Sequence, residues 1–179
     1  MSAIKRVAVV GAGIMGSGVV QVTAAAGIHV AMVDIKEDIV KKALSSIDKG
    51  IFRGFKKAIE SKKMDEAAAR SQTDQILSRI RVTTSTEEAV KDADLVIEAA
   101  TENLSMKHKI FGVIEKAIPS HAIIASNTSS LGIQEMASVL KKPEQFGGLH
   151  FFNPVPLMKL VEVRHQIIFR PLLTRSLVL

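Results

Sequence analysis

The chain contains no cysteine, and aromatic residues make up only 4% of its 179 positions. Without cysteine it can form neither a disulfide framework nor a zinc–thiolate site, and it has no thiol nucleophile. The five histidines do not show the spacing of metal ligands, so we expect no metal. The low aromatic content and the lack of a recognition motif argue against a nucleic-acid partner. The hydrophobic fraction of 47% is typical of a globular domain.

Acidic and basic residues are also missing from one long stretch, Val7 to Val33. A gap of this length could indicate a membrane span, but its glycines and its strand–turn–helix pattern favour a buried parallel strand with its helix. We therefore expect no membrane span. Because the first predicted strand starts within a few residues of Met1, we also expect neither a signal peptide nor an ordinary transit peptide.

A glycine-rich turn follows the first strand. The apolar run from Val7 to Val10 leads into Gly11, Gly13 and Gly16, and small and apolar residues with helical spacing come next. In a dinucleotide-binding βαβ unit the first glycine permits the tight turn, the second lets the backbone approach a pyrophosphate, and the third lets the helix pack on the strand. The helix N-terminus then offers free N–H groups and partial positive charge to the phosphates.

An acidic residue follows the second predicted strand, at the position where a dinucleotide-binding unit binds the ribose. The run from His29 to Val33 predicts a second buried strand, and Asp34 follows it about 20 residues beyond the turn, where a carboxylate holds the ribose 2′-hydroxyl. The same carboxylate would repel a 2′-phosphate, which favours NAD over NADP, although Lys36 lies nearby. An ordinary glycine-rich turn is the alternative, and the order strand, helix, strand, acid disfavours it.

The next stretch, from Ile35 to about Leu77, is predicted to be helical. It is too long for one crossover helix, and a break near residues 61–63 predicts two helices packed as an antiparallel pair. Between Lys36 and Met64 nine basic residues oppose four acidic ones, so the segment carries +5 of the net charge of +6. A solvated helix face and a site for a polyanionic ligand are both open interpretations.

From residue 80 to residue 163 the sequence predicts further short strands and helices. Strands are predicted near 80–83, 94–100, 122–125, 145–150 and 160–163, with helices near 86–91 and 104–118. Ligands of open α/β sheets bind outside the carboxyl ends of the strands. The glycine turn, Asp34, Glu102 and residues 126–130 all follow strand ends, so we expect them to form one site.

A histidine and a glutamate flank a proline-containing segment near the end of this pattern. Oxidation by a nicotinamide cofactor needs a base for the substrate hydroxyl proton, and histidine suits that role near neutral pH. A carboxylate on the far ring nitrogen would fix its tautomer. His150 and Glu162 can form this pair if the prolines fold the intervening segment back. A purely structural histidine at a strand end is the alternative.

Five segments together resemble one enzyme family. They are Val-Gly-Ala-Gly-Ile-Met-Gly at 10–16, Asp34, Glu102-Asn103, Ser-Asn-Thr-Ser-Ser at 126–130 and His-Phe-Phe-Asn-Pro-Val-Pro-Leu-Met-Lys-Leu-Val-Glu at 150–162. They closely resemble the L-3-hydroxyacyl-CoA dehydrogenases of fatty-acid β-oxidation, in register from about Ile4 to Val163. The block that begins at His150 is much more specific than the glycine turn.

The resemblance implies a Rossmann-type α/β domain over residues 1–163, with a mostly parallel sheet, helices on both faces and the helical pair (about 36–77) inserted after the second strand. It implies NAD-dependent oxidation of a 3-hydroxyacyl-CoA to the 3-oxoacyl-CoA by hydride transfer. His150 matches the general base, Glu162 the carboxylate that orients it, and Ser129 a serine bonded to the substrate oxygen. Lys57 matches a coenzyme A contact, which would make the CoA phosphates the polyanion of the basic segment. Cofactor contacts are matched by Gly11, Ala12, Gly13, Ile14, Met15, Gly16, Asp34, Glu102, Lys107, Ser129 and Asn153.

The sequence departs from the family after Val163. Family members continue into an all-helical C-terminal domain that builds the acyl pocket, supplies a catalytic asparagine and forms the homodimer interface, whereas residues 164–179 here are basic and apolar and lack that pattern. The tail could be an alternative ending or a surface for a partner or a membrane, although Pro171 interrupts any helix. The alternative to an active enzyme is a truncated, non-catalytic module that binds NAD or acyl-CoA. The family's mitochondrial matrix setting is implied, with cytoplasm or peroxisome as alternatives.

Overall fold

The computed structural model describes residues 4–164, which form a single sheet with helices on both faces. The strands are β1 (Arg6–Val10), β2 (His29–Val33), β3 (Ile80–Thr83), β4 (Leu95–Glu98), β5 (Ile123–Ser126), β6 (Phe146–Phe151) and β7 (Val161–Arg164). The helices are α1 (Ile14–Ala25), α2 (Glu37–Gly54), α3 (Lys56–Glu60), α4 (Glu66–Leu77), α5 (Thr86–Val90), α6 (Leu104–Ala117) and α7 (Ile133–Ala137), with one 3₁₀ turn at Pro143–Gln145.

The seven strands lie in the order β3-β2-β1-β4-β5-β6-β7. All neighbouring pairs are parallel except β6 and β7, which are antiparallel. The order reverses between β1 and β4, because the chain adds strands on one side of β1 first and then returns to the other side. A ligand cleft is expected at this reversal, outside the carboxyl ends of the strands. The predicted Rossmann-type α/β fold is therefore confirmed.

The core is divided into two layers by the sheet, because successive strand residues point to opposite faces. Val7 and Val9 of β1 face a layer that includes Val19 and Val20 of α1 and residues of α2. Ala8 and Val10 face the other layer, which contains Phe111 of α6 together with residues of α5 and α7. Both faces of the central strands are covered, which explains why β1, β2 and β4 are almost uniformly apolar in sequence.

The inserted helical region is present where it was predicted, but it has one more break than expected. The predicted break near residues 61–63 separates α3 from α4, and a second break at Phe55 separates α3 from α2. The helix α4 packs against α2, since Arg70 lies 2.7 Å from Asp48 and its guanidinium lies over the ring of Phe52. Asp65 caps α4 by accepting a hydrogen bond from the N–H of Ala68.

The remaining predicted elements agree with the structure to within a few residues at each end. The short helix α7 and the 3₁₀ turn were not predicted, because segments of five and three residues carry too little periodicity. The strand β7 extends to Arg164, one residue into the predicted tail, and residues 165–179 of that tail lie outside the described part. Within residues 4–164, no helix is long and apolar enough to cross a membrane.

Candidate active site

The glycine turn connects β1 to α1 at the point where the strand order reverses. Gly11 has a φ of +110°, and a Cβ on it would lie 2.6 Å from the carbonyl oxygen of Ala99. A Cβ on Gly16 would lie only 1.8 Å from the carbonyl oxygen of Gly11. The protein's own packing thus requires glycine at both positions, as the motif predicted.

Gly13 differs from its two neighbours, because a Cβ there would meet no protein atom within 4 Å. It is the N-cap of α1, which receives no side-chain cap and has no acidic residue in its first turn. Ile14, at the first helical position, is 78% exposed. The open backbone and the uncapped helix N-terminus suit a bound pyrophosphate, so these residues fit the phosphate part of NAD.

Asp34 follows β2 and is joined to the turn. Its Oδ2 accepts a hydrogen bond of 2.7 Å from the N–H of Ala12, and its Oδ1 accepts one of 2.7 Å from the N–H of Ile35. The carboxylate therefore lies beside the glycine turn, partly exposed, and keeps lone pairs for a further donor. This position suits a ribose hydroxyl, which is the role that the sequence predicted for it.

A buried ion pair that the sequence analysis did not identify lies beneath the cleft. The Nζ of Lys107 on α6 lies 2.7 and 2.8 Å from the two carboxylate oxygens of Glu98, the last residue of β4. The two side chains are 1% and 0% exposed. Ser126 Oγ and the N–H of Ala100 also donate to Glu98, at 2.6 and 2.7 Å. The network fixes the ends of β4 and β5 against the start of α6.

Glu102 extends this network to the surface of the cleft. Its Oε2 lies 3.3 Å from Lys107 Nζ, and its Oε1 accepts hydrogen bonds from the hydroxyls of Thr128 and Ser130. Burial raises the pKa of Glu102, but the hydrogen bond from Thr128 and the charge of Lys107 outweigh it and hold that pKa below its ordinary value. Glu102 is therefore ionised at neutral pH, and its carboxylate anchors the loop after β5.

His150 and Glu162 face each other across β6 and β7, where they are paired residues in the antiparallel register. His150 Nδ1 lies 3.2 Å from Glu162 Oε2. The imidazole side chain is 15% exposed and lies against the ring of Phe152, with 4.5 Å between the ring centroids. The predicted fold-back of the proline-containing segment therefore occurs, and it brings the two side chains together.

The carboxylate of Glu162 has a second partner on its own strand. Arg164 donates to Glu162 Oε2 from Nε at 3.0 Å and from Nη2 at 2.7 Å. The hydrogen bonds from Arg164, and then the one from His150, hold the pKa of Glu162 below its ordinary value. Since an ionised carboxylate accepts hydrogen bonds only, the Nδ1 of a neutral His150 carries the proton, which leaves Nε2 unprotonated.

A cleft of about 350 Å³ at the carboxyl end of the sheet brings together six of the predicted site residues. Its predicted lining residues are Met15, Glu102, Lys107, Ser129, His150 and Asn153, and it is completed by Ala99, Ala100, Asn127, Phe151 and Phe152. The amide oxygen of Asn127 accepts a hydrogen bond of 2.8 Å from the N–H of Phe151, which joins the loop after β5 to the end of β6. The backbone of Ala99 also meets the glycine turn, so the cleft and the turn are continuous.

Two predicted residues lie neither in the cleft lining nor at the glycine turn and its partner Asp34. Glu162 lies behind His150 and is 44% exposed, as suits a residue that orients the imidazole. Lys57 is exposed on α3 and is not among the lining residues, so its contact with coenzyme A stays a prediction. Among the described residues, no group of three His, Cys, Asp or Glu side chains could hold a metal ion.

Comparison with known proteins identifies the family. Residues 6–167 match the family model described as 3-hydroxyacyl-CoA dehydrogenase, NAD binding domain. The human mitochondrial hydroxyacyl-coenzyme A dehydrogenase is 43% identical over 161 residues, which cover 89% of this chain and 50% of that protein. The 3-hydroxybutyryl-CoA dehydrogenase of Clostridioides difficile is 40% identical over 158 residues, covering 88% of this chain and 53% of the relative.

A solved structure agrees with these sequences. The (S)-3-hydroxybutyryl-CoA dehydrogenase of Ralstonia eutropha superposes with a TM-score of 0.78 at 40% identity, covering 90% of this chain and 54% of the other. The chain thus spans about half the length of the relatives that it matches. The family model, the relatives and the fold agree, and the chain belongs to the 3-hydroxyacyl-CoA dehydrogenase family, whose NAD-binding domain its residues 6–167 match.

Proposed function

We propose that the chain takes part in the NAD-dependent oxidation of an L-3-hydroxyacyl-CoA to the 3-oxoacyl-CoA. The observation that carries the proposal is the His150–Glu162 pair, with 3.2 Å between Nδ1 and Oε2, in the wall of a cleft that reaches the glycine turn. Alcohol oxidation requires a base within reach of the hydroxyl proton, next to the site where a hydride acceptor binds.

In this proposal, residues of this chain accept the proton of the substrate 3-hydroxyl. His150 Nε2 takes the proton of the substrate 3-hydroxyl as the C3–H bond breaks, and the carboxylate of Glu162 stabilises the imidazolium that forms. Bound NAD would supply the acceptor for the hydride that leaves C3. The two electrons leave with the hydride, the O–H electrons form the carbonyl π bond, and the products are the ketone and a protonated His150.

Other residues position the reactants. We propose that Ser129, in the cleft lining beside His150, donates a hydrogen bond to the substrate oxygen, and that Asn153 and Met15 border the nicotinamide. Asp34 would hold the adenosine ribose, while Gly11 to Gly16 would hold the pyrophosphate. Glu102 and Lys107 would form the wall against the cofactor, since both line the cleft and hold each other in place.

The basic helical region would bind the substrate's other end. Lys57 and its neighbours on α2 and α3 form an exposed cationic surface, and coenzyme A carries phosphates that such a surface attracts. We further propose that residues 1–163 belong to the NAD-binding domain and that the compartment is the mitochondrial matrix, in line with relatives whose names include "mitochondrial".

Turnover of acetoacetyl-CoA with NADH tests the proposal. The chain should oxidise NADH, and His150→Gln should lower kcat by about 10²- to 10⁴-fold, the usual contribution of a general acid–base residue. NADH binding to His150→Gln, followed by fluorescence, should be unchanged.

His29→Gln is the matched control, because His29 is exposed at the opposite, amino end of β2. It should retain full turnover. A folded chain that binds NADH without oxidising it would contradict the proposed reaction and support the alternative, a non-catalytic nucleotide-binding module. An equal loss of kcat in His150→Gln and His29→Gln would contradict the role of general base assigned to His150.

A further inference from the structure

One guanidinium connects the two halves of the proposed site. Glu162 Oε2 accepts hydrogen bonds from Arg164 Nε and Nη2, and it is the same oxygen that faces His150 Nδ1. The Nη1 and Nη2 groups of Arg164 also donate to the carbonyl oxygen of Ser129, both at 3.3 Å. Arg164 thus joins β7, which carries the orienting carboxylate, to the loop that carries Ser129.

The neighbouring strand leaves room for this arginine. Gly148 on β6 is the register partner of Arg164, and a Cβ on Gly148 would lie 3.0 Å from the Cβ of Arg164. Any residue larger than glycine at position 148 would crowd the aliphatic part of the Arg164 side chain. That side chain is only 31% exposed. A side chain packed in this way loses less freedom when it forms directed hydrogen bonds.

The other charged groups that line the cleft beside His150 already form ion pairs with each other or with Glu98. Glu102 and Lys107 line the same cleft from the β4–α6 side, where they pair with each other and Lys107 pairs with Glu98. Glu162 is 44% exposed, so its carboxylate would sample several rotamers if only His150 held it. Two donors from Arg164 on the same oxygen restrict that freedom.

We propose that Arg164 is a positioning residue, whose guanidinium fixes Glu162 against His150 and ties the Ser129 loop to that pair. Its effect on turnover rests on the proposed dehydrogenase function, whereas its effect on Glu162 does not. A displaced carboxylate no longer holds the imidazole, and misplacement of a reacting group by about 1 Å can cost up to 10²-fold in rate.

The test compares Arg164→Gln and Arg164→Lys with the wild-type chain by NMR and by steady-state kinetics. Titration of the Glu162 carboxylate, assigned with Glu162→Gln, should show a raised pKa for Glu162 in Arg164→Gln, because the cation that favours ionisation is gone. With acetoacetyl-CoA, kcat should fall by about 10-fold while KM for NADH stays unchanged. Arg164→Lys should recover part of the loss, because it keeps the charge but not the two-point contact.

Arg81→Gln is the matched control, since Arg81 also bridges two carboxylates, Glu88 and Asp92, away from the cleft. It should change neither the Glu162 titration nor kcat. The proposal is overturned if Arg164→Gln leaves the Glu162 titration unchanged, or if its kcat loss is matched by Arg81→Gln. If the wild-type chain has no turnover, the proposed function fails, and the Glu162 titration alone then decides whether Arg164 positions the carboxylate.

Discussion

The buried Glu98–Lys107 pair provides a quantitative test of how the site is supported. Replacing Lys107 by Met removes a cation that is 1% exposed and leaves the carboxylate of Glu98, which is 0% exposed, without its counter-charge. Breaking a buried ion pair in this way costs about 3–5 kcal/mol. Two hydrogen bonds to Glu98 remain, from Ser126 and Ala100, so we expect about 3 kcal/mol, the lower end of that range.

Urea unfolding followed by circular dichroism measures this loss as a free energy, and thermal unfolding measures it as a lower melting temperature. A cost of about 3 kcal/mol should lower the melting temperature by about 6–12 °C for a chain of this size. The double variant Glu98→Gln/Lys107→Met removes both charges, and it should regain most of the loss, because buried pairs can be replaced by uncharged groups at little cost.

Lys109→Met is the control for this series, because Lys109 is exposed on the same helix, α6. Its free energy of unfolding should stay within about 0.5 kcal/mol of the wild-type value. The reasoning is refuted if Lys107→Met costs less than about 1 kcal/mol, or if the double variant is less stable than Lys107→Met alone.

Three further predictions concern the glycine turn and the amino end of β1. Gly13→Ala should keep the free energy of unfolding within about 1 kcal/mol but weaken NADH binding at least about 10-fold, because its Cβ meets no protein atom and faces the expected pyrophosphate. Gly11→Ala should unfold in far less urea, because its φ is +110° and its Cβ would lie 2.6 Å from Ala99 O. Asp94 accepts hydrogen bonds from the N–H groups of Lys5 and Arg6, which lower its pKa, so Asp94→Ala should cost about 1–2 kcal/mol at pH 7. That difference should be present above the unfolded carboxyl pKa of about 3.9 and be lost as pH falls through the lowered folded value, as urea unfolding at pH 7 and pH 3 can measure.

The fold was predictable because its signals are local. The strand from His29 to Val33 and the glycines at 11, 13 and 16 each carry their structural requirement in a few adjacent residues. The short helix α7 lacks such a signal, since five residues cover little more than one turn. The break at Phe55 directly follows Gly54, and this single glycine was the available local signal for it.

The site was predictable only in part, because some of its contacts join distant positions. His150 and Glu162 have chemistry that suggests a pair, and the register of β6 and β7 then brings them together. The sequence did not show which residues pair with Glu98, because its partners lie nine and 28 residues further along the chain, on a helix and on another strand. Glu98 ends an apolar strand, and a carboxylate there without an apparent partner was the available signal.

The most direct test of the account is the binding of NADH to the full chain, measured by fluorescence for the wild type and for Asp34→Ala. Loss of charge-assisted hydrogen bonds to the ribose should raise Kd by about 10- to 100-fold. Asp38→Ala, in the exposed first turn of α2, should bind as the wild type does. Saturable binding that only Asp34→Ala weakens is the predicted result. A folded chain without saturable binding, or equal Kd values in the two variants, would contradict the claim that this cleft is a nicotinamide-dinucleotide site.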